Sequence, residues 1–481
     1  MATSKSERPF DVVVVGAGPA GLAAATSAAR HGARTALVDA GTAPGGQYWR
    51  HPAPLSAQSG TALGALTDSA VAYLHHDLTT YHRLLDGLSA VEDTGARFSQ
   101  HHVWTVTRDA DGFVVHAVDR TGGGERAVTV RGRRLVLAPG AFDRQIPFPG
   151  WDLPGVMTAG GVQALLKGHQ VVAGRRVLVA GTGPFLLPVA SGLAESGATV
   201  VGVHEAASPL AWVRELGVVA RNVTKLREGA GYARALARHK VPIRTRSAVV
   251  EAHGDEALEG VTLMRLDRRG ALVAGTEQTV AVDVLAVGWG FTPQLELPLA
   301  LGCATRVDVD GSLVCIVDDQ QRASVEDVFV AGEACGVGGA ALAVLEGEIA
   351  GSTAAGAPEL PAAVGRSRAS LRSFANAMHR AHPVPPGWTE RVGEDTVVCR
   401  CEEVPFKALR SMQQDFAADD GRSAKMLTRA GMGYCQGRTC GYAVSCILGE
   451  TAARTSGFAE RPVASPLRLG ELAGSTAERP D

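Results

Sequence analysis

Four cysteines towards the end of the chain have the residue type and the spacing for metal chemistry. Cys399 and Cys401 form a C-x-C pair, and Cys435 and Cys440 form a C-x4-C pair. Four thiolates in two tight clusters are able to hold a tetrahedral, sulfur-ligated metal. This combination of spacings is poor for zinc, whose structural sites use C-x2-4-C pairs. We predict a metal site here, with zinc or free core thiols as the alternatives.

A glycine-rich turn near the start of the chain is a second chemical motif. Gly16, Gly18 and Gly21 follow an apolar strand at 11–15 and open a helix. In that context G-x-G-x-x-G indicates a dinucleotide site, because its glycines permit a tight turn, a close pyrophosphate and close helix–sheet packing. Asp39 ends the next predicted strand, where a carboxylate accepts hydrogen bonds from a ribose. The alternative is a glycine turn without a ligand.

A second unit repeats this pattern imperfectly. Gly181 and Gly183 follow a strand at 175–180, but Leu186 stands where a third glycine is usual. We expect the leucine to push the helix away from the strand. Glu205 ends the following strand and favours a ribose 2′-hydroxyl, and therefore NAD over NADP. NAD(H) binding, another nucleotide and a unit that has lost its ligand all stay open.

Length and composition limit the class of protein. A chain of 481 residues predicts about three domains of roughly 150 residues each. The net charge of −2 gives no electrostatic case for nucleic acid or an anionic membrane. The apolar run at 12–29 is broken by glycines and a proline, so we expect a strand, turn and helix and no membrane span. We see no signal-peptide pattern and expect a cytoplasmic protein, with contact to the inner face of the membrane only through partners. Four further cysteines are scattered singly, as apolar core residues are in a reducing compartment: Cys303, Cys315, Cys335 and Cys446.

The order of predicted elements indicates an α/β fold. Two Rossmann-like dinucleotide-binding domains are expected, the second inserted in the first, followed by a small α-rich domain around the four cysteines. The predicted segments are 1–158 and 285–356 for the first domain, 159–284 for the second, 357–395 for a linker, 396–455 for the cysteine domain and 456–481 for a tail.

Three further segments resemble motifs of the glutathione-reductase type of flavoprotein, which has two dinucleotide domains. They are P-G-G-Q at 44–47, L-V-L-A-P-G-A at 135–141 and V-F-V-A-G-E-A at 328–334, where Glu333 replaces the usual aspartate. The resemblance implies FAD in the first domain and a second nucleotide near Gly181, Gly183 and Glu205. The redox-active C-x-x-C of that family is absent from both domains, so we expect no disulfide relay. The implied FAD contacts are Gly16, Gly18, Pro19, Ala20, Gly21, Asp39, Ala40, Gly46, Gln47, Val103, Pro139, Gly140, Gly332, Glu333 and Ala341.

Nearly the whole chain resembles the larger flavin subunit of heteromeric dye-linked dehydrogenases, a group that includes opine oxidases, proline and hydroxyproline dehydrogenases and hydrogen cyanide synthase. The segments 45–50, 148–163 and 332–343 carry the resemblance. The four-cysteine pattern resembles the [2Fe-2S] site of bacterioferritin-associated-ferredoxin-like domains. The resemblance therefore implies FAD and a [2Fe-2S] cluster held by Cys399, Cys401, Cys435 and Cys440.

The same resemblance implies a division of labour between subunits. An FAD- or FMN-containing, amino-acid-oxidase-like partner binds the amine, a small ferredoxin-like subunit is a further candidate partner, and this chain passes electrons to an acceptor. The residues agree, because we find no acid–base or nucleophile constellation, and a flavin brings its own redox chemistry. The alternative is a self-contained NAD(P)H:acceptor oxidoreductase with the same two cofactors. The late segment 462–473 is predicted either to dock on another subunit or to be an irregular tail.

Overall fold

A computed structural model describes residues 8–52, 73–358, 361–449 and 458–476. Its first sheet contains seven strands. Its order is β3-β2-β1-β6-β5-β4, and β19 adds to β6. β1 runs parallel to β2 and β6, and its buried F-D-V-V-V-V sequence suits a strand covered on both faces. The strands are β1 Phe10–Val15, β2 Thr35–Val38, β3 Ala96–Phe98, β4 His101–Asp109, β5 Gly112–Asp119, β6 Arg126–Leu137 and β19 Val328–Val330.

The second sheet lies between β6 and β19 in the chain. Its order is β11-β10-β9-β15-β8, and all of its pairs are parallel. An antiparallel sheet of β12, β13 and β14 is inserted in the chain between β11 and β15 of this sheet. The strands are β8 Val156–Thr158, β9 Arg176–Gly181, β10 Thr199–Glu205, β11 Ile243–Thr245, β12 Ser247–His253, β13 Gly260–Arg265, β14 Gln278–Ala281 and β15 Val284–Gly288.

Short two-stranded sheets and the helices complete the described part of the chain. The paired strands are β7 Ala141–Asp143 with β16 Phe291–Pro293, β17 Thr305–Val307 with β18 Leu313–Cys315, and β20 Val397–Cys399 with β21 Val404–Pro405. The helices are α1 Pro19–Arg30, α2 Leu78–Thr94, α3 Ala159–His169, α4 Leu186–Glu195, α5 Leu216–Arg221, α6 Val223–Arg238, α7 Glu296–Ala300, α8 Ala340–Ala354, α9 Ala362–Ala381, α10 Phe406–Phe416, α11 Gly421–Thr428, α12 Gly441–Ile447 and α13 Leu469–Thr476.

Helices α1 and α8 pack unusually closely against each other. A Cβ at Gly347 would lie 2.1 Å from the carbonyl oxygen of Ala20, and one at Gly351 would lie 2.1 Å from that of Ala24. Any side chain at either glycine would force the helices apart. This contact fixes α8, which follows β19, against the helix of the first glycine motif.

The predicted linker at 357–395 contains the 20-residue helix α9. Its Arg372 binds Glu346 of α8 at 2.7 Å, and its Arg380 binds Glu215 of the second unit at 2.7 Å. Glu346 is fully buried, so its pairing with arginine offsets the cost of burying the carboxylate. The linker is therefore packed against both dinucleotide units.

The described part of the tail packs on its own chain. The Ala464 N–H donates to the Trp104 carbonyl oxygen at 2.6 Å, and the Ser465 hydroxyl donates to that of Val103 at 3.3 Å. Arg468 binds Glu125 at 3.1 Å. The tail thus runs along the outer strand of the first sheet, irregular up to Arg468 and helical from Leu469, and its docking on another subunit stays a prediction.

The predicted mixed α/β fold with Rossmann-like domains is confirmed. The domain boundaries stay predictions, and the junction between the cysteine domain and the tail at 455–456 falls outside the described residues. Within the described ranges, every helix is too short or too polar to cross a membrane.

Candidate functional site

A cavity of about 2450 Å³ runs along the carboxyl ends of the parallel strands of both large sheets. Residues that follow β1, β6 and β19 line one part of it, and residues that follow β9, β10 and β15 line the other. Ligands of open parallel sheets bind at this end of the strands. Both predicted nucleotide sites therefore open into one cavity.

The first glycine motif forms a tight turn in the cavity wall. Gly16 has a φ of +102°, and a Cβ there would lie 2.3 Å from the Ala138 carbonyl oxygen. A Cβ on Gly21 would lie 1.7 Å from the Gly16 carbonyl oxygen, so a side chain there would separate α1 from β1. Gly18 caps α1 without a side-chain hydrogen bond and has open space beside it. Since the first N–H groups of a helix have no partner within it, this turn suits a pyrophosphate.

Asp39 lies at the end of β2, beside this turn. Its Oδ2 accepts a hydrogen bond from the Ala17 N–H at 2.6 Å, and its Oδ1 accepts one from the Gly41 N–H at 2.7 Å. Each oxygen keeps a second lone pair that is available to a ribose hydroxyl. The carboxylate is therefore held beside the glycine turn, and its contact with a ribose stays a prediction.

Most other residues predicted to contact FAD line the same cavity. They are Pro19, Ala20, Ala40, Gly46, Gln47, Pro139, Gly140, Gly332, Glu333 and Ala341. Gly46 has a φ of +60°, and a Cβ there would lie 2.8 Å from the Gly18 Cα, so the P-G-G-Q loop packs directly on the glycine turn. Val103 packs against the core of the first sheet, and its neighbour His102 lines the cavity. The individual FAD contacts stay predictions.

Glu333, which replaces the usual aspartate, points at the loop before α8. Its two oxygens accept hydrogen bonds from the N–H groups of Gly338 at 2.8 Å and Gly339 at 3.1 Å. Burial raises the pKa of this carboxyl. The longer side chain thus reaches the N-terminal end of α8 from the cavity wall.

The second glycine motif has a different shape. Gly181 keeps the tight turn, with a φ of +137° and a Cβ position 1.8 Å from the Gly288 carbonyl oxygen. Leu186 is 1% exposed and is accommodated because Gly288 has no side chain: a Cβ there would lie 3.2 Å from the leucine Cδ2. Helix α4 begins at the fifth residue after Gly181, whereas α1 begins at the third after Gly16. The leucine thus accompanies a delayed start of the helix.

Glu205 ends β10 and is surrounded by donors. It accepts hydrogen bonds at 2.9 Å from the Thr182 hydroxyl and from the N–H groups of Gly183 and Ala207, and His382 Nδ1 lies 3.4 Å away. Burial opposes its ionisation, but His382 and these donors hold the pKa of the carboxyl below its usual value. Few acceptor positions remain for a ribose.

The segment after α9 covers this second turn. The Trp212 indole N–H donates to His382 Nε2 at 3.0 Å, and the Trp212 ring packs against Phe374 of α9 at 5.8 Å. The Thr182 hydroxyl lies 3.5 Å from the Pro383 carbonyl oxygen. The predicted linker therefore forms part of the wall of the second site.

The four predicted metal-ligating cysteines come together as two pairs. The thiol of Cys399 lies beside that of Cys440, and the thiol of Cys401 lies beside that of Cys435. Cys399 and Cys440 are buried, whereas Cys401 is exposed. Among the described residues, no three cysteine, histidine or acidic side chains gather as they would around a single metal ion. The four thiols therefore form two neighbouring pairs.

The surroundings of each pair favour one thiolate. A hydrogen bond from the Cys440 thiol lowers the pKa of Cys399 to about 6, helped by the Gly431 N–H at 3.5 Å. Burial opposes the ionisation of Cys435, but hydrogen bonds from Thr439 leave its pKa lowered. Thiolates are the metal-binding form of cysteine, so both pairs contain a ligand-ready sulfur.

Two titratable cavity residues were missed at the sequence level. Lys167 is 5% exposed and donates to the Tyr48 carbonyl oxygen at 3.0 Å, and burial lowers its pKa to about 8. Asp143 accepts from the Thr158 hydroxyl at 2.9 Å and the Gly160 N–H at 3.1 Å, and burial raises its pKa. Neither belongs to a local motif, so only the tertiary fold shows that they line the cavity.

Two Rossmann-like units around one cavity, the first with a tight glycine turn, are the architecture of oxidoreductases that have two dinucleotide-type domains. The chain belongs to the pyridine nucleotide-disulphide oxidoreductase family, whose model matches residues 10–355. It is an FAD-dependent oxidoreductase.

Similar proteins extend over almost the whole chain. It is 33% identical over 458 residues to the hydrogen cyanide synthase subunit HcnB of Pseudomonas protegens, covering 93% of each chain. It is 30% identical over 492 residues to an opine oxidase subunit of Rhizobium meliloti, covering 96% of this chain and 98% of the relative. The L-proline dehydrogenase structure from P. horikoshii shares the fold, with a TM-score of 0.66 and 18% identity over 98% of this chain and 81% of that one.

Proposed function

We propose that the chain is the electron-transfer flavin and iron–sulfur subunit of a heteromeric dehydrogenase for an amine, imino acid or opine. The observation that carries the proposal is the two neighbouring pairs of thiols in the cysteine module, which is the described segment 396–449. This module contributes Tyr442 to the wall of the cavity of an FAD-dependent oxidoreductase. Two relatives that span almost the whole chain are named as subunits of a hydrogen cyanide synthase and an opine oxidase. We extend that subunit role to this chain.

The donor set fits a [2Fe-2S] cluster better than a single ion. In such a cluster each iron takes two cysteine sulfurs, so four thiols are needed in two pairs. Cys399 with Cys440 and Cys401 with Cys435 supply this arrangement. The turn at Gly16–Gly21 and the carboxylate of Asp39 would hold FAD. Bound FAD supplies two-electron redox chemistry, and the cluster supplies one-electron steps.

One edge of the cysteine module is open to a partner or an acceptor. Cys401 is exposed, and the neighbouring Met432 and Tyr434 are 50% and 81% exposed. We propose that the amine is held by a separate FAD- or FMN-containing, amino-acid-oxidase-like protein, with a small ferredoxin-like protein as a second partner. We also propose that the assembly works in the cytoplasm.

The second nucleotide unit is not proposed as an entry for NADH. Glu205 already accepts three hydrogen bonds, and His382 and Pro383 lie against its glycine turn. A self-contained NAD(P)H:acceptor oxidoreductase would need this site open to the dinucleotide. The contacts therefore support the subunit role over that alternative.

Native purification followed by a substrate comparison tests the proposal. The affinity-purified chain should bring with it a flavin-containing partner, and the complex should bleach its flavin with an amine, imino acid or opine but not with NADH. The Cys435→Ser variant should lose passage of electrons to an external acceptor, whereas Cys446→Ser, in the same module, should keep it. Rapid bleaching of the isolated chain by NADH would contradict the proposal.

A further inference from the structure

Tyr442 carries the cysteine module into the wall of the cavity. It lies two residues after Cys440, in the first turn of α12, and its side chain lines the cavity. The ring packs against the hydrophobic cluster that contains Trp151 and Trp289. A side chain covalently close to one predicted iron ligand is therefore also part of the surface that surrounds the predicted flavin.

Arg144 holds the Tyr442 ring in place. Its guanidinium carbon lies 4.3 Å from the ring centroid, a cation–π contact. Arg144 is 3% exposed and is itself fixed by Asp310 Oδ2 at 2.6 Å, the Ser312 hydroxyl and the Phe291 carbonyl oxygen at 3.0 Å. Because these partners all belong to the predicted first domain, that domain sets the position of the ring.

Trp151 anchors the cysteine module next to the C-x-C pair. This tryptophan belongs to the F-P-G-W-D-L-P-G segment, whose role the sequence left open. It is 2% exposed, and its indole N–H donates to the Val397 carbonyl oxygen, two residues before Cys399. Arg400 lies over the same ring, 4.8 Å from its centroid.

Glu296 anchors the cysteine module next to the C-x4-C pair. This carboxylate is 4% exposed and binds Arg438 at 2.8 Å and Arg461 at 2.7 Å. Arg438 lies between Cys435 and Cys440, so the loop of the C-x4-C pair is fixed as well. Both arginines therefore tie this loop to the first residue of α7.

We propose that the Tyr442 ring is the contact through which electrons pass between the flavin in the cavity and the cluster of the cysteine module, with Arg144 as the residue that positions the ring. The proposal rests on the proposed function. With FAD at the Gly16–Gly21 turn and a [2Fe-2S] cluster on the four cysteines, a reduced flavin would release two electrons and two protons. The electrons would pass singly to the cluster, each reducing one ferric iron to ferrous, and the external acceptor would re-oxidise the cluster after each transfer. The protons would go to solvent, and no bond between heavy atoms would change. The rate of electron tunnelling falls steeply with distance, so a fixed aromatic ring would shorten the through-space distance between the flavin and the cluster.

The test compares full-length variants Tyr442→Phe, Tyr442→Ala and Arg144→Lys, with Phe416→Ala as the control. Phe416 is an aromatic residue of the same module that is 66% exposed. FAD, iron and sulfide are quantified first. The flavin is then photoreduced, and electron arrival at iron is followed by flavin absorbance and freeze-quench EPR.

The expected result is a several-fold slower exchange in Tyr442→Ala, a smaller slowing in Arg144→Lys, and wild-type rates in Tyr442→Phe and Phe416→Ala. The midpoint potentials of the flavin and the cluster should stay at their wild-type values. A substitution that distorted either cofactor site would shift them. Unchanged rates in fully loaded Tyr442→Ala overturn this inference alone. If that variant does not load, an unchanged rate in Arg144→Lys overturns it. Wild-type chain without iron and sulfide overturns the proposed function, and this inference with it.

Discussion

The two glycine-rich units have the same topology but different surroundings. In the first, Gly21 must be glycine because the Gly16 carbonyl oxygen occupies the place of a side chain. In the second, Leu186 fills the corresponding region, and the absence of a side chain at Gly288 leaves room for it. Asp39 accepts two hydrogen bonds, whereas Glu205 accepts three and faces His382.

The difference shows that strand, turn and helix can be retained after the ligand-binding features are altered. The first unit keeps open N–H groups at the start of α1, and the second starts its helix later and is covered by the segment after α9. We infer that the first unit is kept for a ligand and the second for packing. The following substitutions test that contrast.

The largest effect is expected from Gly21→Ala. Its Cβ would lie 1.7 Å from a backbone oxygen that cannot move without the whole turn. We expect complete loss of bound FAD and a fall of about 3 kcal/mol in the free energy of unfolding, at the upper end of what overpacking usually costs. Flavin absorbance per chain and chemical denaturation measure both. Gly217→Ala, a helical position with open space, is the control, and FAD retained at wild-type level in Gly21→Ala would refute the role of this turn.

A stability effect without a flavin effect is expected from Leu186→Ala. This side chain is 1% exposed, so its removal leaves a cavity and costs about 2–3 kcal/mol. FAD content should stay at the wild-type level because the first unit is untouched. Leu226→Ala, at a position that is 49% exposed, should change neither quantity. Loss of flavin from Leu186→Ala would mean that the two units are coupled.

Asp39→Asn and Glu205→Gln form a matched pair of smaller changes. Asp39→Asn should weaken FAD binding by about 1.5 kcal/mol, because charged hydrogen-bond acceptors at the turn and the ribose are lost. Glu205→Gln should leave the FAD dissociation constant unchanged. Flavin release followed by fluorescence measures both. Equal weakening by the two substitutions would remove the distinction between the units.

The smallest effect is expected in the pH dependence of stability. The pKa of Glu205 is lowered in the folded chain from a usual value of 4.5, so its stabilising contribution is present above that pH and is lost as the pH falls through the folded pKa. The difference in melting temperature between wild type and Glu205→Gln should therefore shrink as the pH is lowered below about 4.5. A difference that stays constant down to about pH 3 would argue against the contacts of this carboxylate.

Local patterns predicted the parts of the site that depend on neighbours in sequence. The glycine turn, Asp39 and the cysteine spacing are of this kind, because chain geometry over a few residues decides them. The contact of Tyr442 with Arg144, the anchoring of the module by Trp151 and the cover of Glu205 by His382 join residues far apart in the chain. No periodicity records such contacts, so the fold had to be seen first. The α/β class was predictable because both units repeat a strong strand–turn–helix pattern.

The proposed electron transfer depends above all on a [2Fe-2S] cluster held by the four cysteines beside the flavin. EPR of the dithionite-reduced, anaerobically purified full chain addresses this directly, with iron, zinc and sulfide analysis of the same sample. We predict a spin-half signal and about two irons per chain in the wild type and in Cys446→Ser, both lost in Cys435→Ser. A chain with zinc, or with neither metal nor signal, would contradict the proposal.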